Sequence, residues 1–324
     1  MKPLKMFDVF SGMGGAVEAA RGLPIESIGG CEWEKNAAAT YWANWGHYPF
    51  GNIWEVDPAK IEPFEILFAS PDCSPYSRAG KQNGLRHPAS RAVFGLEPII
   101  AHHKPKAIVY ENVCEWPEWQ GGRSLALVSS AFERHGYHPL SDPRAWRKLN
   151  SAKFGAATQR KRFFGVQLRK DFDPDDLEWP DPALPMVPLS TVLQPDEEVR
   201  HLICRRKDLI PCTRKRPGPY SPVLVGYYER RYCDKMVYSA AGPAATFVRS
   251  NSGLSTTSNL YLTAPGVIRK LSITEMRRAM GYGDHYVIPM PYGIAARLLG
   301  SSLVPTVLRE VFRMTLKVIS KGGR

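Results

Sequence analysis

The chain has 324 residues, of which 44% are hydrophobic and 23% charged, a composition that predicts a globular protein with a large core and room for a second small domain. The formal net charge of +12 indicates a polyanionic partner, either nucleic acid or an anionic surface. The N-terminus lacks the apolar stretch of a signal peptide, no run approaches the roughly 18 apolar residues of a membrane span, and the six cysteines form no Cys-x-x-Cys pair. We therefore expect a cytoplasmic protein with reduced thiols, no structural metal and no membrane association.

The first predicted elements are a strand over residues 5–10, a glycine turn over 11–15 and a helix over 16–20. Glycines let the backbone turn tightly and approach a ligand, and the N–H groups that open the helix attract an anionic group. Alone, this pattern is typical of many nucleotide-binding proteins, a nicotinamide-dependent oxidoreductase among them.

A second predicted strand, 28–33, ends on Glu32 and Trp33. Glu32 follows Gly15 by 17 residues, near the offset at which an acid accepts both ribose hydroxyls in nucleotide-binding βαβ units. Trp33 is then placed to stack on an adenine. Its ordinary alternative is a buried core tryptophan.

Further strands are predicted at 65–69, 107–110 and 162–166, alternating with helical segments. Such alternation predicts an α/β fold with a doubly wound, mostly parallel sheet. Ligands bind at the carboxyl ends of the strands in these sheets, and Glu32, Cys73 and Glu111 all fall at the carboxyl end of a predicted strand. Three reactive side chains are therefore expected at one edge of the sheet.

The charge changes sign between two neighbouring segments. Residues 171–198 hold nine acids, six prolines and no Lys or Arg, whereas residues 200–235 hold ten Lys or Arg and three acids. The acidic, proline-rich segment predicts a surface linker. The basic segment is either a solvated face or a nucleic-acid surface, and the tyrosines interleaved with its arginines favour nucleic acid.

Six motifs, in this order, resemble those of the C5-cytosine DNA methyltransferase family. They are DVFSGMGG (8–15), SPDCSPYSRAGKQ (70–82), ENV (111–113), the two arginines of RKR (160–162), RKLSITE (269–275) and GSSLVP (300–305). The resemblance covers nearly the whole chain. It implies the S-adenosylmethionine-dependent methyltransferase fold with a second, smaller DNA-recognition domain. It also implies S-adenosyl-L-methionine as cofactor, double-stranded DNA as partner, no metal, and action as a monomer.

The resemblance also implies roles for individual residues. Those expected to bind the cofactor are Asp8, Phe10, Ser11, Gly12, Gly14, Gly15, Glu32, Trp33, Asn52, Ile53, Pro71, Ser301 and Ser302. Those expected to act in catalysis are Cys73, Glu111, Arg160 and Arg162. Those expected to contact DNA are Ser77, Lys81, Gln82, Arg91, Arg214, Lys215, Arg216, Thr246 and Arg249.

The implied chemistry begins at Cys73. Cytosine C5 is a poor nucleophile, and addition of a thiolate to C6 makes C5 reactive. Thiolates attack and thiols do not, so Arg160 and Arg162 are the expected sources of positive potential. Glu111 is expected to hydrogen-bond to N3 and the exocyclic amine of the base. A base stacked in a duplex cannot reach the thiolate and has to be flipped out of the helix.

Several positions depart from the family pattern. Asp72 and Ser74 stand on either side of the cysteine, where proline and glutamine are usual. Thr158, Asn52 and Ser301 stand in place of a glutamine, an aspartate and an asparagine, respectively. A carboxylate beside a thiol disfavours the thiolate, so Asp72 is expected to raise the pKa of Cys73 unless it pairs elsewhere or caps the following turn.

The motif order divides the chain into three functional segments. We expect residues 1–177 to bind the cofactor and carry catalysis and residues 178–265 to recognise the target. Residues 266–324, with a helix over 305–319, are expected to return to the catalytic domain. Two other functions stay open, an RNA (tRNA) cytosine-5 methyltransferase and a catalytically silent DNA-binding relative. The length of the recognition region favours duplex DNA, and the joint presence of the four catalytic residues argues against a silent relative.

Overall fold

The structure is a computed structural model that describes residues 2–72, 76, 87–212, 218–228, 235–249 and 259–322. Seven predicted site residues lie outside the described residues: Cys73, Ser77, Lys81, Gln82, Arg214, Lys215 and Arg216.

The chain forms two compact units, each assembled from separate stretches of sequence. Unit 1 comprises Met1–Leu149, Lys161–Pro180 and Val307–Arg324, and unit 2 comprises Asn150–Arg160 and Asp181–Thr306. Residues 266–306 cluster with unit 2, because a strand at Val267–Lys270 pairs with the strand before it. These units are defined by compactness, whereas the boundaries expected at 177/178 and 265/266 separate functions. Those functional boundaries therefore stay a prediction.

A six-stranded sheet forms the framework of unit 1. Its strands are β1 (Leu4–Val9), β2 (Ile25–Cys31), β3 (Ile66–Ala69), β4 (Ala107–Val113), β5 (Trp146–Asn150) and β6 (Lys161–Leu168). The helices of this part of the chain are α1 (Gly15–Ala20), α2 (Lys35–Trp45), α3 (Pro88–Arg91), α4 (Leu96–His103) and α5 (Arg123–Glu133). The strand order is β2-β1-β3-β4-β6-β5.

The pairing of these strands explains where a site can form. β1 is parallel to both β2 and β3, β3 is parallel to β4, and β6 runs antiparallel to β4. Every residue of β3 and β4 is buried, as expected for strands covered on both faces. The chain order reverses between β1 and β3, and ligands of open α/β sheets bind at such a switch point, beyond the carboxyl ends of the strands.

The described part of unit 2 forms a five-stranded sheet and two α-helices. Its strands are β7 (Ile210–Pro211), β8 (Val223–Tyr227), β9 (Met236–Ser239), β10 (Leu260–Ala264) and β11 (Val267–Lys270), in the order β11-β10-β9-β8-β7. Its helices are α6 (Ile273–Ala279) and α7 (Tyr292–Ser301). A small core of Tyr228, Val237 and Leu260 lies against this sheet.

The RKLSITE motif has a structural role within unit 2. The fully buried Arg269 guanidinium donates to both carboxylate oxygens of Glu275 at 2.9 Å, and its Nε donates to Asp196 at 2.6 Å. Glu275 also completes a capping box with Ser272 that starts α6. A buried carboxylate is tolerated only when it is paired and hydrogen-bonded, and here one arginine meets that requirement.

The C-terminal helix belongs to unit 1 over most of its length. The expected helix at 305–319 is α8 (Pro305–Ser320), and its apolar face is buried, with Phe312 packing edge-on against Phe68 of β3. Arg309 donates to the carbonyl oxygens of Glu18 and Ala19, which end α1. Among the described helices, none is both long and apolar enough to cross a membrane.

The acidic segment 171–198 has the irregular structure expected of a linker. All of its residues are described, and its only helical turns are the 3₁₀ turns at Pro174–Asp176 and Leu189–Val192. Within unit 1 its carboxylates take basic partners: Asp175 pairs with Arg144 at 2.5 Å and Asp176 with Lys321 at 2.6 Å. Exposed ion pairs of this kind contribute little to stability. The segment is therefore an irregular surface segment with a few ion pairs to unit 1.

Candidate active site

The glycine turn after β1 is held by the Ser11 side chain. Its hydroxyl donates to the carbonyl of Asp8 at 2.6 Å and accepts from the N–H of Cys31 at 3.1 Å. Gly14 follows at φ 88°, where a Cβ would lie 2.3 Å from the Trp45 ring nitrogen, so only glycine fits. The turn is thus rigidly joined to the end of β2, next to Glu32.

Glu32 and Trp33 extend from that strand end in different ways. The Glu32 carboxylate accepts backbone N–H groups from Gly12 at 2.8 Å and Glu34 at 2.7 Å. Burial raises the pKa of Glu32, while these N–H donors oppose the rise. Trp33 is 78% exposed, which rules out the alternative of a core tryptophan and leaves its ring face open for stacking.

Two residues of the first motif occupy unusual environments. Asp8 is fully buried, and neither of its carboxylate oxygens has a hydrogen-bond partner among the described residues. Burial, with the nearby charge of Glu32, raises the pKa of Asp8 well above its usual range. An enclosed side chain has no surface to offer a ligand, so any cofactor contact at Asp8 has to come from its backbone. Phe10 adopts φ 58°, a conformation that bulky residues seldom take outside functional loops.

Asn52 and Ile53 have structural roles in the turn after α2. The Asn52 side chain caps the 3₁₀ turn Ile53–Glu55 by accepting the N–H of Trp54 at 3.3 Å, and its amide donates to Glu55 at 3.2 Å. The Ile53 side chain is buried against Gly95. Their proposed contacts with a cofactor stay predictions.

Glu111, near the end of β4, lies between a hydroxyl and a guanidinium. Its Oε2 accepts the Ser70 hydroxyl at 2.7 Å, and its Oε1 lies 3.3 Å from Nε of Arg162. The register Ala69–Tyr110 between parallel β3 and β4 places Ser70 beside Glu111, and antiparallel β6 supplies Arg162 opposite Val113. The Glu111 side chain is only 7% exposed, so this arrangement holds a compensated, oriented carboxylate.

The neighbouring Asn112 holds the segment that leads to Cys73. Its amide donates to the carbonyl of Pro71 at 3.0 Å, and its side-chain oxygen accepts the N–H of Val113 at 2.8 Å. On the other side of the cysteine, Tyr76 is buried, packs near Trp116 and Trp119, and has its hydroxyl within reach of Ser90 and Ser124. Described residues on both sides of Cys73 are thus anchored within unit 1.

The two predicted catalytic arginines have different surroundings. Arg162 lies beside Glu111, whereas Arg160 belongs to unit 2 and is 3% exposed. Its two terminal nitrogens donate to the carbonyls of Phe247 at 3.0 Å and Gly300 at 3.1 Å. The two arginines thus make different contacts, and the catalytic roles expected for both stay predictions.

The remaining predicted residues divide between the units. In unit 1, Arg91 is exposed at the end of α3. In unit 2, Thr246 donates to the carbonyl of Gln159 at 2.5 Å, and Arg249 is exposed. The Ser301 hydroxyl donates to Arg297 of its own helix at 3.0 Å, and the Ser302 hydroxyl bonds with that of Tyr282.

Sequence reasoning missed Ser70 and Asn112 as site residues. Both lie inside motifs, SPDC and ENV, but their roles depend on hydrogen bonds across 41 positions of chain. In the sequence, the only indications of these roles were the polar side chains directly before Pro71 and directly after Glu111. Within the described residues, no group of three His, Cys, Asp or Glu side chains could hold a metal ion.

The sheet and the Ser70–Glu111–Arg162 cluster define an α/β protein with a buried, oriented carboxylate near the carboxyl end of a central strand. The family model for C-5 cytosine-specific DNA methylases matches residues 4–317. The chain belongs to that family.

Relatives with similar sequences are Type II methyltransferases. The Type II methyltransferase M.HhaI of Haemophilus parahaemolyticus is 29% identical over 310 residues, which cover 95% of this chain and 93% of the relative. The Type II methyltransferase M.HaeII of Haemophilus aegyptius is 28% identical and covers 100% of this chain and 96% of its own length.

Solved structures share the fold at lower identity. The S. pombe Dnmt2 methyltransferase superposes with a TM-score of 0.73 at 16% identity, covering 98% of this chain and 99% of its own. A putative DNA modification methyltransferase encoded within an E. coli prophage superposes with a TM-score of 0.68 at 15% identity, with the same coverage of both chains. These likenesses establish a mixed α/β methyltransferase fold.

Proposed function

We propose that the protein transfers a methyl group from S-adenosyl-L-methionine to C5 of a flipped cytosine within a specific double-stranded DNA sequence. The observation that carries this proposal is the buried Glu111 carboxylate near the end of β4. It is oriented by Arg162 and by Ser70, which begins the segment that leads from β3 to Cys73. A carboxylate fixed in this way can hydrogen-bond to one edge of a base while a thiol at the same edge of the sheet attacks the ring.

Each residue of the cluster has a defined task in this mechanism. The Cys73 thiolate forms a bond to C6 of the cytosine, and electron density moves onto N3 and C5. Glu111 shares a proton with N3, where part of that density builds, and a carboxylate oxygen accepts a hydrogen bond from the exocyclic amine. Arg162 and Ser70 hold the carboxylate in position. C5 then takes the methyl group from the sulfonium sulfur, which leaves as a neutral thioether. The C5 proton passes to water, its electron pair re-forms the C5–C6 double bond, and the C6–sulfur bond breaks to release the Cys73 thiolate.

The residues around the glycine turn fit the proposed cofactor. Glu32 uses its oxygens for two backbone N–H groups and keeps lone pairs for ribose hydroxyls, and the exposed Trp33 ring offers a stacking face for adenine. The buried turn brings its backbone close to the methionine part. S-adenosyl-L-methionine, when bound, supplies the methyl group as an activated sulfonium substituent.

The wider assignments belong to the same proposal. The large sheet is the doubly wound, mostly parallel domain of this fold, and residues 178–265 form the smaller target-recognition domain, with Arg249 and the basic run Arg214, Lys215 and Arg216 facing DNA. We propose that the enzyme acts as a monomer, without metal, in the cytosol of a prokaryotic cell or, if phage-encoded, of its host, because its substrate DNA is there.

The test combines target mapping with trapping of the covalent adduct. Bisulfite sequencing of a plasmid from expressing cells identifies the methylated sequence. A duplex carrying 5-fluorocytosine at that target should form an adduct with the wild type that survives SDS, because fluorine blocks the final elimination. Cys73→Ala should lose the adduct and methyl transfer while retaining DNA binding. Cys114→Ala, a partly buried thiol next to the ENV motif, should retain both.

The outcomes separate the competing functions. Radiolabelled methyl transfer to tRNA but not to DNA would assign the protein to RNA modification. Specific DNA binding without transfer to either nucleic acid would identify a silent relative. An active enzyme that forms no adduct would contradict the assignment of Cys73.

A further inference from the structure

We propose that Arg160 is a positioning residue for target recognition rather than a catalytic one, and that together with Gly300 it fixes the backbone that carries the DNA-reading residues Thr246 and Arg249. The inference rests on the proposed function and adds a specificity role that the RKR motif does not itself indicate. All of the contacts that support it lie within unit 2.

The Arg160 guanidinium joins two segments far apart in sequence. One terminal nitrogen donates to the carbonyl of Phe247 and the other to the carbonyl of Gly300, 87 and 140 positions away. Both hydrogen bonds are buried and charge-assisted, so each is stronger than one between neutral groups. A planar fork with two divergent donors suits this bridge, whereas a lysine offers a single point of charge.

Because Gly300 has no side chain, the backbone of Val248 and Arg249 can lie against it. A Cβ on Gly300 would lie 2.7 Å from the carbonyl carbon of Val248 and 2.9 Å from the N of Arg249. Both are backbone atoms, which cannot move aside as the end of a flexible side chain can. The chain at Val248 and Arg249 therefore rests directly on the C-terminal part of α7, and its position depends on the missing side chain at Gly300.

A third set of contacts fixes the segment just before this point. Gln159 N–H donates to Ala244 at 2.8 Å, Ala244 N–H donates to Ala157 at 2.8 Å, and the Thr246 hydroxyl donates to Gln159 at 2.5 Å. The Thr158 hydroxyl adds a bond to the Ala244 carbonyl at 3.3 Å. The residue that departs from the family's glutamine thus takes part in the same attachment.

Together these contacts hold residues 244–249 from two sides. Sequence readout depends on placing side chains against base edges within a fraction of an ångström, so loss of the attachment should weaken discrimination between sequences. The chemistry at Cys73 and Glu111 does not use these contacts. Variants should therefore affect DNA affinity and specificity more than turnover at saturating DNA.

The experiment compares Arg160→Ala and Gly300→Ala with two matched controls. Gly293→Ala changes a glycine of the same helix whose Cβ would meet nothing within 4 Å, and Arg162→Ala changes the arginine beside Glu111. For each variant, kcat and KM for DNA are measured on a duplex with the mapped target and on one with a single base pair changed. Thermal unfolding checks folding, and Arg160→Lys tests partial rescue.

We expect Arg160→Ala and Gly300→Ala to raise KM for the target duplex about tenfold or more, and to reduce discrimination against the altered duplex by a similar factor. Their kcat should stay within about threefold of wild type, Arg160→Lys should fall between, and Gly293→Ala should match wild type. Arg162→Ala should instead lower kcat.

Two results would overturn the inference. One is an Arg160→Ala enzyme with reduced kcat and unchanged KM and discrimination, like Arg162→Ala. The other is a Gly300→Ala enzyme that behaves as Gly293→Ala does. If Arg160→Ala fails to fold, Gly300→Ala and Arg160→Lys decide the question. Failure of the proposed function is separate, because the wild type would then show no methyl transfer to any DNA.

Discussion

The Oε1 atom of Glu111 and the Nε atom of Arg162 lie 3.3 Å apart, at the end of the antiparallel pair β4–β6. The two side chains are 7% and 17% exposed, so neither charge is well solvated alone. Each therefore depends on the other, and removing one partner leaves a nearly buried, uncompensated charge.

We predict that Arg162→Ala lowers kcat on the order of 100-fold, because the carboxylate loses its orienting partner. Arg162→Lys should recover part of the loss. Arg169→Ala is the matched control, since Arg169 follows the same strand and pairs with Asp171 at 2.7 Å away from the site. Single-turnover methylation of the mapped target measures the effect. Equal losses in Arg162→Ala and Arg169→Ala would point to general destabilisation instead.

Ser70 should contribute to rate more than to stability. We expect Ser70→Ala to lower kcat by about tenfold, the value of one hydrogen bond to a charged group. Ser129→Ala removes a similar serine-to-glutamate bond, of 2.6 Å to Glu133 in α5, and should lower the melting temperature without changing kcat. Comparison of kcat and melting temperature for the two variants checks the prediction, which fails if both serines affect only stability.

Asp72 should influence the pH dependence of the reaction. We expect the Asp72 carboxylate, next to Cys73 in sequence, to disfavour the thiolate. A thiol pKa higher by about one would lower a thiolate-limited rate about tenfold. We expect Asp72→Asn to move the rising limb of the rate to lower pH. Single-turnover rates from pH 6 to about 10, at saturating DNA and cofactor, measure the limb. Superimposable limbs would identify Asp72 as a structural cap.

Asp8 should make stability fall as pH rises. Its folded pKa is raised, so above the unfolded pKa of about 3.9 the folded protein keeps a proton that the unfolded chain releases. The free energy of unfolding then decreases, by at most about 1.4 kcal/mol per pH unit from this group. Asp8→Asn, which resembles the protonated acid, should remove that decrease. Urea unfolding between pH 4 and about 8 measures it.

Asp142 provides the opposite control for Asp8. Its hydrogen bonds with Arg144 lower the pKa of Asp142, so its contribution is present above the unfolded pKa and is lost as pH falls through the folded pKa. Asp142→Asn should therefore cost stability at neutral pH and little in acid. The pair is solvent-exposed, which keeps the cost under about 1 kcal/mol. If the free energies of unfolding of Asp8→Asn and Asp142→Asn changed with pH in the same way, the raised pKa assigned to Asp8 would be contradicted.

The basic run Arg214, Lys215 and Arg216 should dominate the salt dependence of DNA binding. Each phosphate contact contributes a slope of about 0.9 in log affinity against log salt for duplex DNA. Neutralising all three residues should flatten the slope by up to about 2–3. Fluorescence anisotropy over a salt series measures it, with Lys2, Lys60 and Lys104 neutralised together as a control of equal charge. An unchanged slope would show that these three residues do not contact phosphates and form an ordinary solvated surface.

The amino-acid sequence by itself determined the class of this protein. Strand, glycine turn and helix follow one another within the first motif, and the order of SPDC, ENV and RKR identifies the chemistry. These signals are local, because turn geometry and reactive side chains depend on neighbouring residues. For the same reason β1, β3, β4 and α8 lie close to their expected positions.

Only the folded chain reveals which groups the two arginines contact. The resemblance to the family implied that Arg160 and Arg162 both act in catalysis. β6 begins only at Lys161, and Arg160 lies before it in unit 2. There the carbonyls of Phe247 and Gly300 each accept a hydrogen bond from the Arg160 guanidinium. Trp33 could be known as exposed, and Ser70 as a partner of Glu111, only after folding, because burial and hydrogen bonding across 41 residues depend on the packing of the whole sheet.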